Sequence, residues 1–149
     1  MPEEWSQGEY TISTDRARLD VDVIHAFLRE SYWSPGIPRD VVERAVAGSL
    51  NFGMYLGDEQ IGFARVATDY ATFGYVMDVF VLPEHRGKGL SVWLMRTMLA
   101  HPRLQNFRMW RLATLDAHGV YEKVGFTRVA QPERLMEINN PNAYGAAAR

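Results

Sequence analysis

The sequence predicts an α/β chain in which strands and amphipathic helices pack around one sheet. A glycine-rich turn, Arg86 to Ser91, separates an apolar run that predicts a strand from an amphipathic run that predicts a helix. Upstream of this turn, two segments carry apolar residues at helical spacing, and a third has strand-forming residues on both sides of a Gly-Asp turn. Mixed helical and strand periodicity in one short chain is typical of this class.

The first half of the chain predicts one strand, two helices and a hairpin. Residues 10–13 form the strand, and residues 20–31 form a helix that Asp20 caps. Pro35 and Pro38 interrupt the helical pattern, and apolar residues at helical spacing over 41–46 begin the second helix. Residues 52–56 and 61–68 form a hairpin around the turn 57–60.

The second half predicts a strand, a helix, a strand, a short helix and a last strand. Residues 75–82 form the first of these strands, and residues 90–99 form the amphipathic helix. Residues 108–114 form the next strand. A short helix over 116–124 begins with Asp116 as its N-cap and ends at Gly125. Residues 135–138 form the last strand.

Size and composition predict one domain spanning residues 1–149. The 149 residues, of which 47% are hydrophobic, are enough for one sizeable core and too few for two. We expect the core to span about residues 10–138, with residues 1–8 and 141–149 loosely held.

Charge and cysteine content exclude several functional classes. A formal net charge of −2 without a dense basic run disfavours nucleic acid as a partner. The chain has no cysteine, which excludes disulfides, thiolate metal sites and a cysteine nucleophile. No apolar stretch is long enough to span a membrane and no secretory signal is evident, so we expect a cytoplasmic protein with no membrane partner.

The glycine-rich turn has the properties of an anion site. Gly87 and Gly89 allow a tight turn that points successive N–H groups outward, and the following helix adds the positive end of its dipole. A P-loop requires a hydroxyl residue after Lys88, and a dinucleotide fingerprint requires a third glycine at Val92, so neither motif is present. Two interpretations stay open: the turn is a diphosphate site, or it is a plain strand-to-helix turn with a charged rim.

Two motifs resemble the GNAT superfamily of N-acetyltransferases, in the form of a small single-domain bacterial-type member. Arg86, Gly89 and Ser91 resemble its coenzyme A pyrophosphate loop, Arg-x-x-Gly-x-Gly/Ala, with serine in place of the last small residue. Residues 121–126, Tyr-Glu-Lys-Val-Gly-Phe, resemble its Tyr-Glu-Lys-x-Gly-Phe segment. The predicted order of elements resembles the family's fold over residues 10–138.

This resemblance implies a fold and a cosubstrate, acetyl-CoA, and it implies no metal. The fold is a mixed, mostly antiparallel sheet with splayed central strands and about four flanking helices. The pantetheine arm of acetyl-CoA would lie in the splay, against the strand backbone. The implied cofactor-binding residues are Val79, Phe80, Val81, Arg86, Gly87, Lys88, Gly89, Leu90, Ser91, Val92 and, where many relatives have asparagine, Thr114.

The resemblance also implies direct attack of a primary amine on the acetyl thioester. Tyr121 would be the general acid that protonates the departing thiolate, although its ring could instead serve only in packing. Asp78 is a candidate for the general base, because it shares a predicted strand face with apolar Val76, where a carboxylate is costly unless it is paired or used. The alternative role of Asp78 is that of a buried ion-pair partner of Arg65. His118 could be a base, a contact of the acceptor or an exposed imidazole. Removal of the amine proton through ordered water would need no dedicated residue.

Aromatic residues in two loops are candidates for the acceptor site. These residues and one nearby carboxylate are Tyr32, Trp33, Asp69, Tyr70 and Phe73. They would suit a small amine or a peptide amino terminus, or they could fold back onto the core.

Three functions stay open at this point. The first is an acetyl-CoA-dependent N-acetyltransferase. A catalytically silent acyl-CoA-binding module and a generic nucleotide-binding domain are the alternatives. A homodimer formed through a sheet edge or through residues 135–138 is a further expectation from the resemblance.

Overall fold

One six-stranded sheet organises residues 1–145, the part of the chain that the computed structural model describes. The strands lie in chain order: β1 (Glu4–Gln7), β2 (Tyr10–Ser13), β3 (Leu50–Leu56), β4 (Glu59–Thr68), β5 (Phe73–Val81) and β6 (Met109–Arg111). All neighbours are antiparallel except β5 and β6, which are parallel. The predicted mixed, mostly antiparallel sheet is confirmed.

Four α-helices flank the sheet in the described residues. Helices α1 (Val21–Leu28) and α2 (Arg39–Ala47) cover one face, where they pack with Phe63 and Phe80. Helices α3 (Leu90–Leu99) and α4 (His118–Glu122) lie on the other face. The Asp20 side chain accepts the Val23 N–H at the start of α1, so the predicted cap is confirmed.

A bulge in β5 reverses the side-chain alternation of that strand. Phe63 pairs with Phe80 but Arg65 pairs with Met77, so β5 contains one residue more than β4 between these pairs. The bulge holds Asp78 at φ +58°, a left-handed conformation that asparagine and aspartate adopt more readily than most residues. Val76 therefore packs toward α3 whereas Asp78 lies toward α1 and α2, and the prediction that the two share a face is wrong.

Strands β5 and β6 separate after a short parallel ladder. Their pairing covers Phe73–Met109, Gly74–Trp110 and Tyr75–Arg111 and then stops. Gly74 permits the close contact in this ladder, because a Cβ there would lie 2.9 Å from the Trp110 ring. From Val76 onward, the β5 edge that faces β6 has no ladder partner, and a gap opens between the strands.

Three expectations about the chain's course need correction. Residues 4–7 form a strand paired with β2 although the start of the chain was expected to be loose. Strand β6 has three residues instead of the predicted seven, because the gap ends its ladder at Arg111. Residues 135–138 form no strand; the segment has no ladder partner, and Leu135, Met136 and Ile138 are exposed.

The expected loose tail, 141–149, lies partly outside the described residues. Within the described part, Tyr144 packs against the cluster beneath α1 and α2. The longest helix in the described part of the chain, α3, has 10 residues, and no helix there could span a membrane.

We predict that His101 makes stability depend on pH. The ring is buried between Trp5 and Phe52, its Nδ1 accepts the Arg103 N–H, and burial lowers the pKa of His101 below its usual 6.5. Since the unfolded chain then binds this proton at a higher pH than the folded chain, the free energy of unfolding should fall as pH decreases below 6.5. Urea unfolding of wild type and His101→Gln at several pH values measures this.

In that experiment, His101→Gln should lose part of the decrease between pH 7 and pH 5, while exposed His118→Gln should keep it. An unchanged pH slope in His101→Gln would contradict the assignment.

Candidate functional site

A row of free backbone N–H groups runs through the glycine-rich turn into the start of α3. The N–H groups of residues 87–92 donate to no acceptor in the described chain, whereas that of Arg86 donates to Pro83 and that of Trp93 to Gly89. Gly87 and Gly89 have φ of +80° and +74°, which glycine adopts without strain. Because α3 begins directly after Gly89, the positive end of its dipole adds to these groups. The turn can therefore hold an anion.

Two cations flank this row, each held by a specific contact. The Arg86 Nε donates to the Val81 carbonyl oxygen at 2.9 Å, which ties the guanidinium to the end of β5. The Lys88 Nζ donates to the Tyr10 hydroxyl at 3.3 Å, and that hydroxyl also bonds His85 Nδ1 at 2.9 Å. Tyr10 and His85 were not predicted as site residues, because their contact joins positions 75 apart in the chain.

The free edge of β5 leads from this turn into the gap. Phe80 and Val81 are buried and Val79 is half-buried, so their side chains belong to the core on both faces of the sheet. Their backbone on the β6 side has no ladder partner. An extended ligand can therefore add to this edge as a strand would.

Tyr121 lies near the gap with an unused hydroxyl. Its ring packs against Phe126 with centroids 6.0 Å apart, and the hydroxyl has no hydrogen bond to any residue in 1–145. Burial, with smaller contributions from Tyr32 and Asp116, raises the pKa of Tyr121 to about 12. The phenol is therefore protonated at neutral pH and can donate.

Asp78 is held by two partners at the bulge. Its Oδ2 accepts from Arg65 Nε at 2.6 Å, and its Oδ1 accepts from Trp33 Nε1 at 2.8 Å. The two charged side chains are 8% and 15% exposed, so the pair is largely shielded from water. The structure thus corresponds to the alternative in which Asp78 is a buried partner of Arg65.

The loop between α1 and α2 reaches across the gap. The Tyr32 hydroxyl accepts the Leu115 N–H at 2.9 Å, while Trp33 binds Asp78. The two rings contact edge to face, with centroids 5.1 Å apart. Tyr32 and Trp33 therefore line the gap between β5 and the segment that follows β6.

The structure does not bring Asp69, Tyr70 and Phe73 to the same place. Asp69 accepts the Ala71 and Thr72 N–H groups and the Thr72 hydroxyl, and these bonds lower the pKa of Asp69. Tyr70 lies under Arg103, and Phe73 begins β5. Five residues of strand, roughly 16 Å, separate Phe73 from Asp78.

The segment that precedes α4 differs from the prediction. Ala117 is the N-cap of α4 and no side chain caps it, so the assignment of Asp116 as N-cap is wrong. The Thr114 hydroxyl accepts the Ala117 N–H at 3.0 Å instead. His118 is exposed and shares a cleft of about 1120 Å³ with Thr114 and Tyr121.

This arrangement matches a family of known proteins. The family model described as an acetyltransferase (GNAT) domain matches residues 48–128, more than half of the chain. The chain belongs to the GNAT acetyltransferase family. Membership supports acyl transfer as its chemistry, and the family's use of acetyl-CoA agrees with the free N–H groups beside the gap.

Two relatives with substantial identity support the assignment. A crystal structure of a GNAT-family protein from Xanthomonas campestris pv. campestris is 48% identical, covers 91% of this chain and 96% of its own, and superposes with a TM-score of 0.87. A Gibberella zeae protein named "Putative acetyltransferase" is 35% identical over 117 residues, 65% of this chain and 66% of the fungal protein.

A more distant acetyltransferase structure shares the fold alone. An acetyltransferase from Clostridium acetobutylicum, assigned by prediction and solved with acetyl-CoA, is 15% identical and superposes with a TM-score of 0.62. It covers 93% of this chain and 95% of its own. No group of three or more His, Cys, Asp or Glu side chains within residues 1–145 of this GNAT chain is placed to hold a metal ion.

We predict that Asp78→Ala lowers the free energy of unfolding by about 3–5 kcal/mol, because it leaves the Arg65 charge buried without its partner. Asp78→Asn should cost less, since asparagine tolerates the left-handed backbone and can still accept from Trp33. Urea denaturation measures both changes.

The matched control is Asp40→Ala, which breaks the exposed pair of Asp40 with Arg44 and should cost less than about 1 kcal/mol. Equal losses in Asp78→Ala and Asp40→Ala would refute the buried-pair interpretation.

Proposed function

We propose that this protein transfers the acetyl group of acetyl-CoA to a primary amine. The observation that carries the proposal is the row of unpaired N–H groups at residues 87–92, which lies at the end of a strand whose free edge opens into a gap. A diphosphate attached to an extended arm fits this combination of an anion site and an unpaired strand edge.

The assigned contacts of acetyl-CoA follow the chain from this turn into the gap. The N–H groups of residues 87–92 would bind the diphosphate, with Arg86 and Lys88 supplying charge. The unpaired backbone of Val79, Phe80 and Val81 would bind the pantetheine arm. The Thr114 hydroxyl accepts the Ala117 N–H, and its own O–H hydrogen stays free to donate to the cofactor.

Tyr121 is the residue we assign as general acid. The amine nitrogen forms a bond to the acetyl carbonyl carbon, the carbon–sulfur bond breaks, and the Tyr121 phenol donates its proton to the sulfur. A backbone N–H of β5 at the bulge would stabilise the oxyanion that develops on the carbonyl oxygen. The raised pKa of Tyr121 keeps the donor protonated at the pH of the reaction.

The proton of the attacking amine needs a different acceptor from Asp78. Both oxygens of that carboxylate already accept bonds from Arg65 and Trp33. His118 lies in the cleft with Tyr121 and has no hydrogen bond to a described residue, so we assign proton removal to His118, directly or through water. We place the acceptor against Tyr32 and Trp33, as a small amine or a peptide amino terminus.

Two broader expectations belong to the proposal. A cytoplasmic location and pairing into a homodimer are both proposed, and no described feature depends on either. The alternative function, a catalytically silent acyl-CoA-binding module, would leave the unused Tyr121 hydroxyl without a role.

We predict that Gly89→Glu abolishes acetyl-CoA binding in calorimetric titration. The substitution places a carboxylate beside the free N–H groups and puts a side chain at φ +74°. Gly57→Glu is the matched control, because Gly57 also has a positive φ and open space around it but lies in the β3–β4 turn. Equal acetyl-CoA affinity in wild type and Gly89→Glu would refute the proposed diphosphate site.

We predict that Tyr121→Phe lowers kcat for CoA release by about 10²–10⁴-fold and leaves acetyl-CoA affinity within a factor of two, because only the proton donor is lost. Steady-state release of CoA with a panel of amines, combined with calorimetry, measures both effects. An unchanged kcat would exclude Tyr121 as the acid. Binding of acetyl-CoA without release of CoA for any amine would favour the silent module.

A further inference from the structure

The cleft beside β6 has a local excess of positive charge. Arg108, Arg111, Arg128 and Arg134 line it, and Glu122 is its only lining carboxylate. The whole chain has a formal net charge of −2, so this concentration of arginine does not follow from composition.

These four guanidinium groups are not neutralised by the protein. Within residues 1–145, none of them forms an ion pair, whereas Arg18, Arg29, Arg39, Arg44 and Arg65 all contact carboxylates. In the cleft, Arg134 donates to the Gln131 side chain, which carries no charge. Arginine binds carboxylates and phosphates through two parallel hydrogen bonds, so the cleft offers donors that suit such groups.

The same cleft contains the residues assigned to the reaction. Tyr121 and His118 line it together with the arginines. The Tyr32 hydroxyl bonds Leu115, which is next to the cleft-lining Thr114, so an acceptor whose amine lies against Tyr32 can reach the arginines with its anionic end. The volume of about 1120 Å³ slightly exceeds the usual range of about 300–1,000 Å³ for small-molecule sites, which leaves room for an acceptor with a second functional group.

The diphosphate of acetyl-CoA does not explain the charge of Arg108 and Arg111. Strands β5 and β6 are parallel, and Arg111 pairs with Tyr75 near the start of β5. The row of N–H groups follows the other end of β5, after Val81. Six residues of strand, roughly 20 Å, separate the two ends, so a diphosphate bound at the turn does not contact Arg108 or Arg111.

We propose that the acceptor is an amine that also carries a carboxylate or a phosphate, and that the arginines of this cleft bind the anionic group. This inference rests on the proposed acetyl transfer. The amine–carboxylate and amine–phosphate forms share one chemistry, recognition of oxyanions by guanidinium groups, and matched acceptors separate them.

The first test compares acceptors that differ only in the anion. CoA release is measured for primary amines with a free carboxylate against their carboxamides, and with a phosphate ester against the free alcohol. The anionic member of the preferred pair should have at least a tenfold higher kcat/KM, mostly through KM, and the advantage should shrink as ionic strength rises.

Variants then locate the effect. The double variant Arg111→Gln/Arg128→Gln should lower kcat/KM for the anionic acceptor to the value for its neutral partner. The control is Arg96→Gln, which removes one guanidinium charge at an exposed position of α3 outside the cleft and should change nothing. Equal kcat/KM for both members of every pair, or an unchanged preference in the double variant, would overturn the inference while acetyl transfer stands.

If no amine is acetylated, binding of citrate, a small polycarboxylate, can be measured without any reaction. Citrate should raise the Tm of wild type and of Arg96→Gln but not that of the double variant. Failure of citrate to raise the wild-type Tm overturns the inference. Sedimentation velocity on the same proteins gives one more overturning outcome: a wild-type dimer that the double variant loses would mean that a second copy occupies the cleft.

Discussion

The buried carboxylate of Asp78 is the interaction on which the site depends. It lies at the one position where β5 gains a residue over β4, and it holds that strained position between Arg65 and Trp33. One partner belongs to the sheet and the other to the loop between α1 and α2. A single side chain therefore fixes the direction of the β5 backbone and the position of the loop that crosses the gap.

The gap itself follows from where the sheet stops forming ladders. Gly74 allows β6 to approach closely at the start of β5, and the two strands separate beyond Tyr75. The backbone of β5 then keeps hydrogen-bonding groups without a ladder partner, and the N–H groups of residues 87–92 have no acceptor in the described chain. These groups follow one line of the chain, and an extended ligand with an anionic end can complete them.

Much of this could be predicted from the sequence, and the limits have physical causes. The glycine-rich turn, α1 with its Asp20 cap, the β3–β4 hairpin and α3 depend on local chemistry, and each was predicted correctly. The face of the sheet that Asp78 occupies was not predicted correctly, because a bulge depends on the register of two strands and leaves no local signal in the sequence. The strand predicted at 135–138 failed for a related reason, since a strand exists only where a neighbouring edge accepts it. Asp69 holds a tight turn and Tyr70 lies under Arg103, and local sequence does not show either contact, so their assignment to the acceptor site stays a prediction.

The loop that spans the gap has a consequence for the order of events in a reaction. Tyr32 and Trp33 close the gap on the side of α1, through their bonds to Leu115 and Asp78. The cleft with His118 and Tyr121 is lined by β6 and by residues that follow it, and none of residues 87–92 lines it. On the proposed assignment, acetyl-CoA approaches along the turn and β5, whereas an acceptor bound by the arginines approaches through the cleft. No single shared entrance then fixes the order in which the two substrates bind.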